Sequence, residues 1–324
     1  MSARVLTTRA AAVAGGALLA LTPLTAQAAQ TAPAPQAPHA ASAAQAPRVP
    51  QTLPTIAAKG AVLIDGTNGT TLFGKEADTA RPIASTAKIM AASVVLETPG
   101  VDLEERVPVQ QKYRDYVTEH GSSTADLQTG DKLTVRQLLY ATLLPSGADA
   151  AYALADTFGT GATSEDRTRS FITRMNEEAA ELGLPHTRFD SFDGAGADSS
   201  TPAELAKLAR HAMQDDTFRT IVKTKQYKGE APAANGRTRY YTWNNTNQLL
   251  GSYNGAIGIK TGTTTPAGDC LVFAATRGDK TLIGTVLNSK DRYTDAAKLL
   301  DHGFGTTPAE PMKLRALPAN SQRD

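Results

Sequence analysis

Segments with the composition of β-strands occur at both ends of the chain, and the stretch between them is helical in character. Five segments predict strands: residues 59–65, 70–73, 255–260, 269–275 and 280–287. Strands so far apart in sequence can pair only if the chain returns to its own beginning. The pattern therefore favours an α+β fold, with one antiparallel sheet made from both chain ends, helices on its faces and a helical insert at about residues 98–250.

The helices of the middle region are marked mainly at their starts. The residues expected to begin them are Thr134, Asp149, Ser164 and Thr201. Thr201 and Glu204 have the spacing of a capping box, and Pro202 between them suits the first helical position. These signals predict helices that together form a mainly helical subdomain.

Positive charge precedes an apolar run at the start of the chain. Residues 1–29 contain Arg4 and Arg9, then the run 10–24, and then Ala26-Gln27-Ala28, a small-x-small cleavage pattern. The apolar run is shorter than the roughly 20 residues that a membrane-spanning helix needs. The segment therefore predicts a secretory signal peptide and a secreted, extracytoplasmic protein.

Two low-complexity segments flank the part of the chain that can fold. Residues 30–54 are rich in Ala, Pro, Gln and Thr and carry little charge, which predicts a linker. Residues 306–324 are interrupted by prolines and lack an amphipathic stripe, so we expect a flexible tail and no stable membrane anchor. The folded domain is accordingly expected over residues 55–305.

Charge and cysteine content exclude several classes of protein. The 324 residues contain 33 Lys and Arg against 32 Asp and Glu, a net charge of +1 with no basic block, so a nucleic-acid partner is not expected. The single cysteine, Cys270, excludes an intrachain disulfide and a CxxC metal or redox motif. The histidines are too scattered to suggest a ligand motif, and we expect neither a metal nor another cofactor.

Ser85 and Lys88 lie three residues apart in the segment 81–96, which predicts a helix. Helical geometry places residues with this spacing on one face. A serine hydroxyl becomes a strong nucleophile only when a base takes its proton, and a lysine can be that base when burial or another cation lowers its pKa. The structural alternative is a capping serine beside a lysine that reaches the surface, and the motif taken alone favours it.

A second serine lies between two predicted helices. Ser146 follows Pro145 in a short loop, where its hydroxyl could project into a cleft. The plainer interpretation is that Ser146 caps the next helix, and this motif alone favours that interpretation.

The third motif ends a predicted strand with the residues Lys260, Thr261, Gly262 and Thr263. Lys260 could supply the cation that lowers the pKa of Lys88, and Thr261 could bind a substrate carboxylate. Gly262 could let a substrate backbone approach as an added strand. A lysine that protects an exposed sheet edge is the structural alternative.

Together and in this order, the three motifs resemble the SxxK, SxN and KTG motifs of the penicillin-recognising serine enzymes. The sequence around them, from about residue 56 to 304, is similar to the low-molecular-mass D-alanyl-D-alanine carboxypeptidases, and especially to small secreted actinobacterial DD-peptidases. The resemblance implies a β-lactamase/transpeptidase-like fold and a D-Ala-D-Ala carboxypeptidase or DD-transpeptidase that acts on peptidoglycan stem peptides.

The resemblance also implies a role for each residue of the first two motifs. Ser85 would attack the carbonyl between the two terminal D-alanines and form an acyl-enzyme, with Lys88 as its base. Ser146 would relay a proton to the leaving group. Water or an amine would then release the acyl group, and β-lactam antibiotics would be covalent inhibitors trapped on the same serine.

The residues of the third motif would bind substrate. Lys260 and Thr261 would hold the terminal carboxylate, and Gly262 would leave room for the peptide. Backbone N–H groups of Ser85 and Thr263 would form the oxyanion hole. We expect the protein to act as a monomer.

Two positions depart from the family pattern. Ala148 occupies the place of the usual SxN asparagine, whose amide bonds the active-site lysine and the substrate. A lost bond of this kind costs roughly 1–3 kcal/mol if a buried partner is left unpaired, so we expect a slower or differently selective enzyme. The segment Phe189–Gly196 replaces the common Asn-Pro-x-Gly-Leu and is expected to border the cleft.

Two other functions remain possible from the residues. A non-catalytic peptidoglycan-binding protein is favoured only by Ala148, and the retained lysines and serines argue against it. A serine β-lactamase would need a glutamate that activates water. The glutamates between the second and third motifs that could be considered are Glu165, Glu177, Glu178, Glu181 and Glu204, and none has the family's E-x-x-L-N setting.

Overall fold

The computed structural model of the chain describes residues 53–307 and 312–322. Its strands are β1 Gly60–Asp65, β2 Thr71–Lys75, β3 Arg81–Pro82, β4 Arg106–Pro108, β5 Lys132–Thr134, β6 Ser199–Ser200, β7 Gln226–Pro232, β8 Thr238–Asn244, β9 Ala256–Thr264, β10 Gly268–Arg277 and β11 Lys280–Ser289. Its helices are α1 Lys88–Leu96, α2 Gln111–His120, α3 Val135–Leu143, α4 Ala148–Phe158, α5 Ser164–Glu181, α6 Pro202–Ala212, α7 Asp216–Val222 and α8 Arg292–Phe304.

The main sheet joins the two ends of the folded chain. Its strand order is β2-β1-β11-β10-β9, and all neighbouring strands are antiparallel. Strand β1 pairs with β11, so that Leu63 lies opposite Gly284. The predicted α+β fold, with an antiparallel sheet made from both chain ends, is confirmed.

The two faces of the sheet bury two separate hydrophobic clusters. Successive side chains of a strand point to opposite faces. Leu63 of β1 accordingly packs in the cluster that includes residues of α8, whereas Val62 and Ile64 pack in the larger cluster that includes residues of the other helices. Burial of both faces explains why β1, β10 and β11 are almost continuously apolar.

Helix α1 is the central helix of the larger hydrophobic cluster. It contacts α3, α4, α5 and α6, and all of its residues from Lys88 to Val95 are buried. A helix that is apolar on every side is stable only when it is packed on every side. Burial therefore fixes the position of its first residue, Lys88.

One predicted helix start is confirmed in full. The Thr134 hydroxyl accepts a hydrogen bond from the Gln137 N–H at 3.1 Å, and the Gln137 side chain accepts one from the Thr134 N–H at 2.9 Å. This reciprocal pair satisfies two of the N–H groups that the first turn of α3 cannot satisfy internally.

Two other starts differ from the prediction. The capping residue of α5 is Thr163 rather than Ser164, because Thr163 accepts the hydrogen bond from Asp166. Thr201 caps α6, but Glu204 does not complete a capping box: its carboxylate accepts hydrogen bonds from His186 and Thr187 instead. Tertiary partners thus compete with the local motif.

The hairpin of β7 and β8 is absent from the sequence analysis. Strand β7 alternates charged and apolar residues and is mostly exposed, so its sequence lacks the apolar content of the sheet strands. The hairpin is held by Trp243, whose ring stacks on Tyr227 with centroids 5.6 Å apart and whose indole N–H donates to the Ala125 carbonyl at 2.9 Å.

Part of the predicted C-terminal tail contacts the folded domain. The Arg315 guanidinium donates hydrogen bonds to the backbone carbonyls of Asn245, Asn247 and Leu250, and the Arg315 N–H donates to the Ser252 hydroxyl. The loop before β9 is therefore braced by a residue more than sixty positions downstream.

The predicted signal peptide over 1–29 and all but the last two residues of the predicted linker lie outside the described residues and remain predictions. Across residues 53–307 and 312–322, none of the helices combines the length and the apolar character that a membrane crossing requires.

The centre of the sheet leads to a prediction about Gly284. A Cβ added to Gly284 would collide with the buried ring of Phe273 and would lie 2.9 Å from the Val62 carbonyl oxygen. We expect Gly284→Ala to lower the free energy of unfolding by about 1–3 kcal/mol, because overpacking forces neighbours out of their preferred positions. The measurement is the urea midpoint of unfolding.

The matched control is Gly74→Ala on the edge strand β2. The nearest atom to a Cβ added there is the Ala77 Cβ at 3.5 Å, an ordinary van der Waals contact. We expect no loss of stability in this control. Equal midpoints for the two variants would contradict the overpacking argument.

Candidate active site

Ser85 lies in a short 3₁₀ turn, Ala84–Ala87, that leads directly into α1. The prediction of one continuous helix over 81–96 is therefore wrong: residues 81 and 82 are strand, and the α-helix begins only at Lys88. Ala84 has a φ of +48°, in the left-handed region that a non-glycine residue rarely adopts. The turn presents Ser85 half-exposed between the buried residues Ala84 and Thr86.

Lys88 is 1% exposed, and its amine faces Ser85. The Lys88 Nζ lies 3.0 Å from the Ser85 Oγ and 2.7 Å from the backbone carbonyl oxygen of Asp193. This is the distance at which one side chain can exchange a proton with another. The first predicted pair of residues is thus assembled at the N-terminus of α1.

Ser146 and Lys260 form a second serine–lysine pair. The Lys260 Nζ donates hydrogen bonds to the Ser146 Oγ and to the Thr261 carbonyl oxygen, each at 2.9 Å. Both side chains are almost completely buried. Ser146 has a φ of +65°, so the loop between α3 and α4 bends sharply to present this hydroxyl to β9.

The remaining residues of the third motif line the edge of the sheet. Strand β9 pairs only with β10 among the described residues, so its other edge is open to an added strand. The Thr261 Oγ1 lies 2.6 Å from the Thr246 Oγ1. The Thr263 Oγ1 accepts a hydrogen bond at 2.9 Å from Arg292, which also donates to the Gly262 carbonyl at 3.1 Å.

Gly262 brings the first and third motifs together. A Cβ added to Gly262 would lie 2.9 Å from the Ser85 backbone nitrogen and 3.1 Å from that of Thr86. Any side chain at this position would therefore push β9 away from the 3₁₀ turn. The structure thus brings the predicted residues of all three motifs into one region.

The segment Phe189–Gly196 borders this region, as the sequence analysis expected. It supplies the Asp193 carbonyl that accepts a hydrogen bond from Lys88. Gly194 has a φ of +90°, and a Cβ there would collide with the Ala84 carbonyl and lie 2.8 Å from the Ser85 nitrogen. This segment therefore contacts the 3₁₀ turn closely, as β9 does.

Asp198 anchors that segment, a role that sequence analysis missed. Its carboxylate accepts hydrogen bonds from the N–H groups of Asp190, Ser191 and Gly196 and from the Ser191 hydroxyl. Burial raises the pKa of Asp198, although these hydrogen bonds oppose the shift. A second missed contact comes from α2, where the Tyr116 hydroxyl donates to the Asp193 side chain at 3.1 Å.

Ala148 is the first residue of α4 and is fully buried. Its N–H donates to the Ser123 carbonyl at 2.8 Å. The next residue, Asp149, accepts hydrogen bonds from the N–H groups of Ala125 and Leu127 and from the Thr124 hydroxyl. Burial raises the pKa of Asp149, against the effect of these bonds. Asp149 thus fixes the segment 123–127 beside the second motif.

Three of the five glutamates considered for a β-lactamase have other partners. Glu165 pairs with Arg169 on the exposed face of α5, and Glu204 accepts hydrogen bonds from His186 and Thr187. Glu178 lies near His211. None of these contacts places a carboxylate at Ser85.

Comparisons with known proteins agree with this geometry. A model of the D-alanyl-D-alanine carboxypeptidase family, Peptidase_S11, matches residues 43–291. The D-alanyl-D-alanine carboxypeptidase of Streptomyces sp. (strain K15) is 53% identical over 259 residues, which cover 78% of this chain and 89% of that protein. The carboxypeptidase DacB2 of Mycobacterium tuberculosis is 33% identical over 266 residues, covering 79% and 85%.

A solved structure extends the similarity to the fold. The crystal structure of the Streptomyces K15 DD-transpeptidase superposes with a TM-score of 0.78 at 53% identity and covers 79% of this chain and 100% of that one. The predicted resemblance is confirmed, and the chain belongs to the D-alanyl-D-alanine carboxypeptidase family of serine peptidases.

Proposed function

We propose that this protein cleaves the bond between the two terminal D-alanines of peptidoglycan stem peptides through an acyl-enzyme on Ser85. The observation that carries the proposal is the 3.0 Å contact between the Ser85 Oγ and the Lys88 Nζ. Family membership supports it, because the chain retains both residues inside the family's overall fold.

Acylation begins with the transfer of the Ser85 proton to the neutral amine of Lys88. The Ser85 Oγ then bonds to the carbonyl carbon of the penultimate D-alanine. Negative charge develops on the carbonyl oxygen, and the backbone N–H groups of Ser85 and Thr263 stabilise it. Lys88 also donates to the Asp193 carbonyl, which keeps its amine oriented toward the serine.

Collapse of the tetrahedral intermediate breaks the peptide bond and releases the last D-alanine. The leaving nitrogen must gain a proton as the bond breaks. The Ser146 hydroxyl, to which Lys260 donates a hydrogen bond at 2.9 Å, can donate that proton and recover the one that Lys88 took from Ser85. Ser146 thus acts as a proton relay, and Lys260 keeps its charge.

Substrate binding uses the open edge of β9. The peptide lies along this edge as an added strand, which Gly262 permits because it has no side chain. Its terminal carboxylate is held by the Lys260 charge and the Thr261 hydroxyl. The Thr246 hydroxyl, 2.6 Å from that of Thr261, fixes the direction of the Thr261 hydroxyl.

The acyl-enzyme can react with either of two nucleophiles, which attack the same ester carbonyl. Attack by water releases a shortened stem peptide, which is the carboxypeptidase reaction. Attack by an amine of a second stem peptide forms a new peptide bond, which is the transpeptidase reaction. A penicillin acylates the same serine. Its leaving nitrogen remains covalently joined to the acyl group after the ring opens, so the whole molecule stays attached to Ser85.

The place of action follows from the substrate. Peptidoglycan lies outside the cytoplasm, so the enzyme must be exported. The predicted signal peptide over 1–29 and linker over 30–54 supply the export signal and a tether to the domain over 55–305. We propose a monomer that is associated with the cell wall and has no stable membrane anchor.

The first test of function is acylation by benzylpenicillin. We expect the mature protein to gain the mass of one penicillin molecule and to keep it for hours, whereas Ser85→Ala gains none because the nucleophile is missing. Intact-protein mass spectrometry measures both. Ser170→Ala, which removes a hydroxyl on the distant helix α5, is the matched control and should be acylated like the wild type.

Other outcomes of this experiment identify the alternatives. An adduct on Ser85→Ala would refute the nucleophile assignment. No adduct on the wild type would favour a non-catalytic peptidoglycan-binding protein. An adduct that disappears within seconds would favour a β-lactamase.

The second test concerns the terminal carboxylate. Thr261→Val keeps the shape of the side chain but removes its hydroxyl, and we expect acylation by penicillin and by a D-Ala-D-Ala peptide to slow by about tenfold or more. A hydrogen bond to a charged group contributes about 1.5–3 kcal/mol, which corresponds to that change. Stopped-flow measurement of the acylation rate checks it.

Thr285→Val is the control for this substitution. Thr285 is also buried in the sheet, on β11, and its hydroxyl has no hydrogen-bond partner among the described residues. We expect an unchanged acylation rate. A rate for Thr261→Val equal to that of this control would show that the Thr261 hydroxyl does not bind the carboxylate.

A further inference from the structure

Three side chains that commonly bind metals converge far from the candidate active site. Glu97 follows the last residue of α1, Glu178 lies on α5 and His211 lies on α6. The His211 Nε2 lies 2.5 Å from the Glu97 Oε1 and 3.8 Å from the Glu178 Oε1. One ligand atom from each residue lies within 4.8 Å of the other two.

The three ligand atoms lie close enough together to be drawn into the shell of one small divalent cation. Zinc binds nitrogen and oxygen ligands at about 2.0–2.2 Å, so two ligands of a tetrahedral ion lie about 3.4 Å apart. The contact between His211 and Glu97 is a hydrogen bond and is shorter than this spacing, whereas the contact between His211 and Glu178 is slightly longer. Rotation of the two carboxylate groups would bring both distances to the spacing that zinc requires.

The charge of the cluster is not balanced by lysine or arginine. Within the described ranges, neither Glu97 nor Glu178 has a salt bridge to either residue type. Arg174, one turn before Glu178, donates instead to Val94, Thr98 and Phe158. Two carboxylates therefore share one imidazole.

A buried hydroxyl lies close by along α1. Ser93 is one turn before Glu97 on the same face of the helix. It is 3% exposed, and its hydroxyl has no hydrogen-bond partner among the described residues. A hydrated cation at the cluster would bring water to this end of the helix, and such a water could bond the Ser93 hydroxyl.

We propose that Glu97, Glu178 and His211 bind one divalent transition-metal cation, with Zn²⁺ as the best match. An imidazole with two carboxylates favours zinc over magnesium or calcium, which prefer oxygen ligands alone. The neutral His211 binds through Nε2, and each glutamate binds through one oxygen. Binding replaces the hydrogen bond between His211 and Glu97, the imidazole keeps its proton on Nδ1, and water completes the tetrahedron.

The cation has a structural role. Helix α1 has nine residues and Glu97 directly follows it, so Glu97 and Lys88 are separated along the helix axis by about 13 Å at 1.5 Å per residue. That is too far for the metal to touch the substrate at Ser85. Instead, the ion joins the C-terminus of α1 to α5 and α6 and stabilises the packing around the helix that carries Lys88.

The test is zinc binding by the untagged mature protein, measured by equilibrium dialysis and thermal unfolding. We expect one bound zinc per chain and, at free zinc tenfold above the Kd, a rise in Tm of about 3–5 °C. Glu178→Gln keeps the side-chain shape and should weaken binding at least tenfold, and His211→Ala should do the same. The quantity compared between each variant and the wild type is the change of Tm on addition of zinc. A lower Tm of a zinc-free variant therefore does not affect the comparison.

His186→Ala is the matched control. His186 also pairs with a glutamate, with its Nδ1 2.8 Å from the Glu204 Oε1, but no second acidic side chain of the described residues completes a cluster there. We expect this variant to bind zinc like the wild type. Equal zinc binding by all three variants, or no zinc-dependent change in the wild type, would overturn the proposal; acylation by penicillin tests the function of Ser85 separately.

Discussion

The close approach of β9 to the 3₁₀ turn at Ser85 is the contact on which the site depends. Two glycines make it possible. A Cβ at Gly262 would lie 2.9 Å from the Ser85 nitrogen, and a Cβ at Gly194 would lie 2.8 Å from the same atom. The backbone of two segments thus approaches Ser85 with no intervening side chain. The Ser85 N–H is held beside β9, where we propose that it acts as an oxyanion donor.

Two buried amines impose the next constraint. Lys88 and Lys260 are each 1% exposed, and a buried ammonium group costs several kcal/mol unless hydrogen bonds compensate. Each amine has a serine hydroxyl and a backbone carbonyl as acceptors. Stability and reactivity are coupled here, because the same contacts that make burial tolerable also orient the two serines.

The sheet and the three motifs could be predicted because their signals are local. Apolar strand patterns and the capping residue Thr134 act within a few residues. The contacts that complete the site lack such signals. Any residue can supply the Asp193 carbonyl, and Tyr116 meets Asp193 only because α2 packs against a loop from a distant part of the chain. The change of backbone direction between β3 and the 3₁₀ turn involves a positive φ at Ala84, which an alanine in the sequence does not indicate.

The second motif shows how the site is held without the usual asparagine. The Ala148 methyl cannot position a neighbouring loop, yet the segment 123–127 is fixed by other bonds. The Ala148 N–H donates to the Ser123 carbonyl, and the Asp149 carboxylate accepts bonds from Thr124, Ala125 and Leu127. Backbone geometry at Ser146 is therefore independent of an asparagine side chain. The usual asparagine bonds the active-site lysine and the substrate, so we expect the effect of Ala148 to fall on substrate orientation and rate.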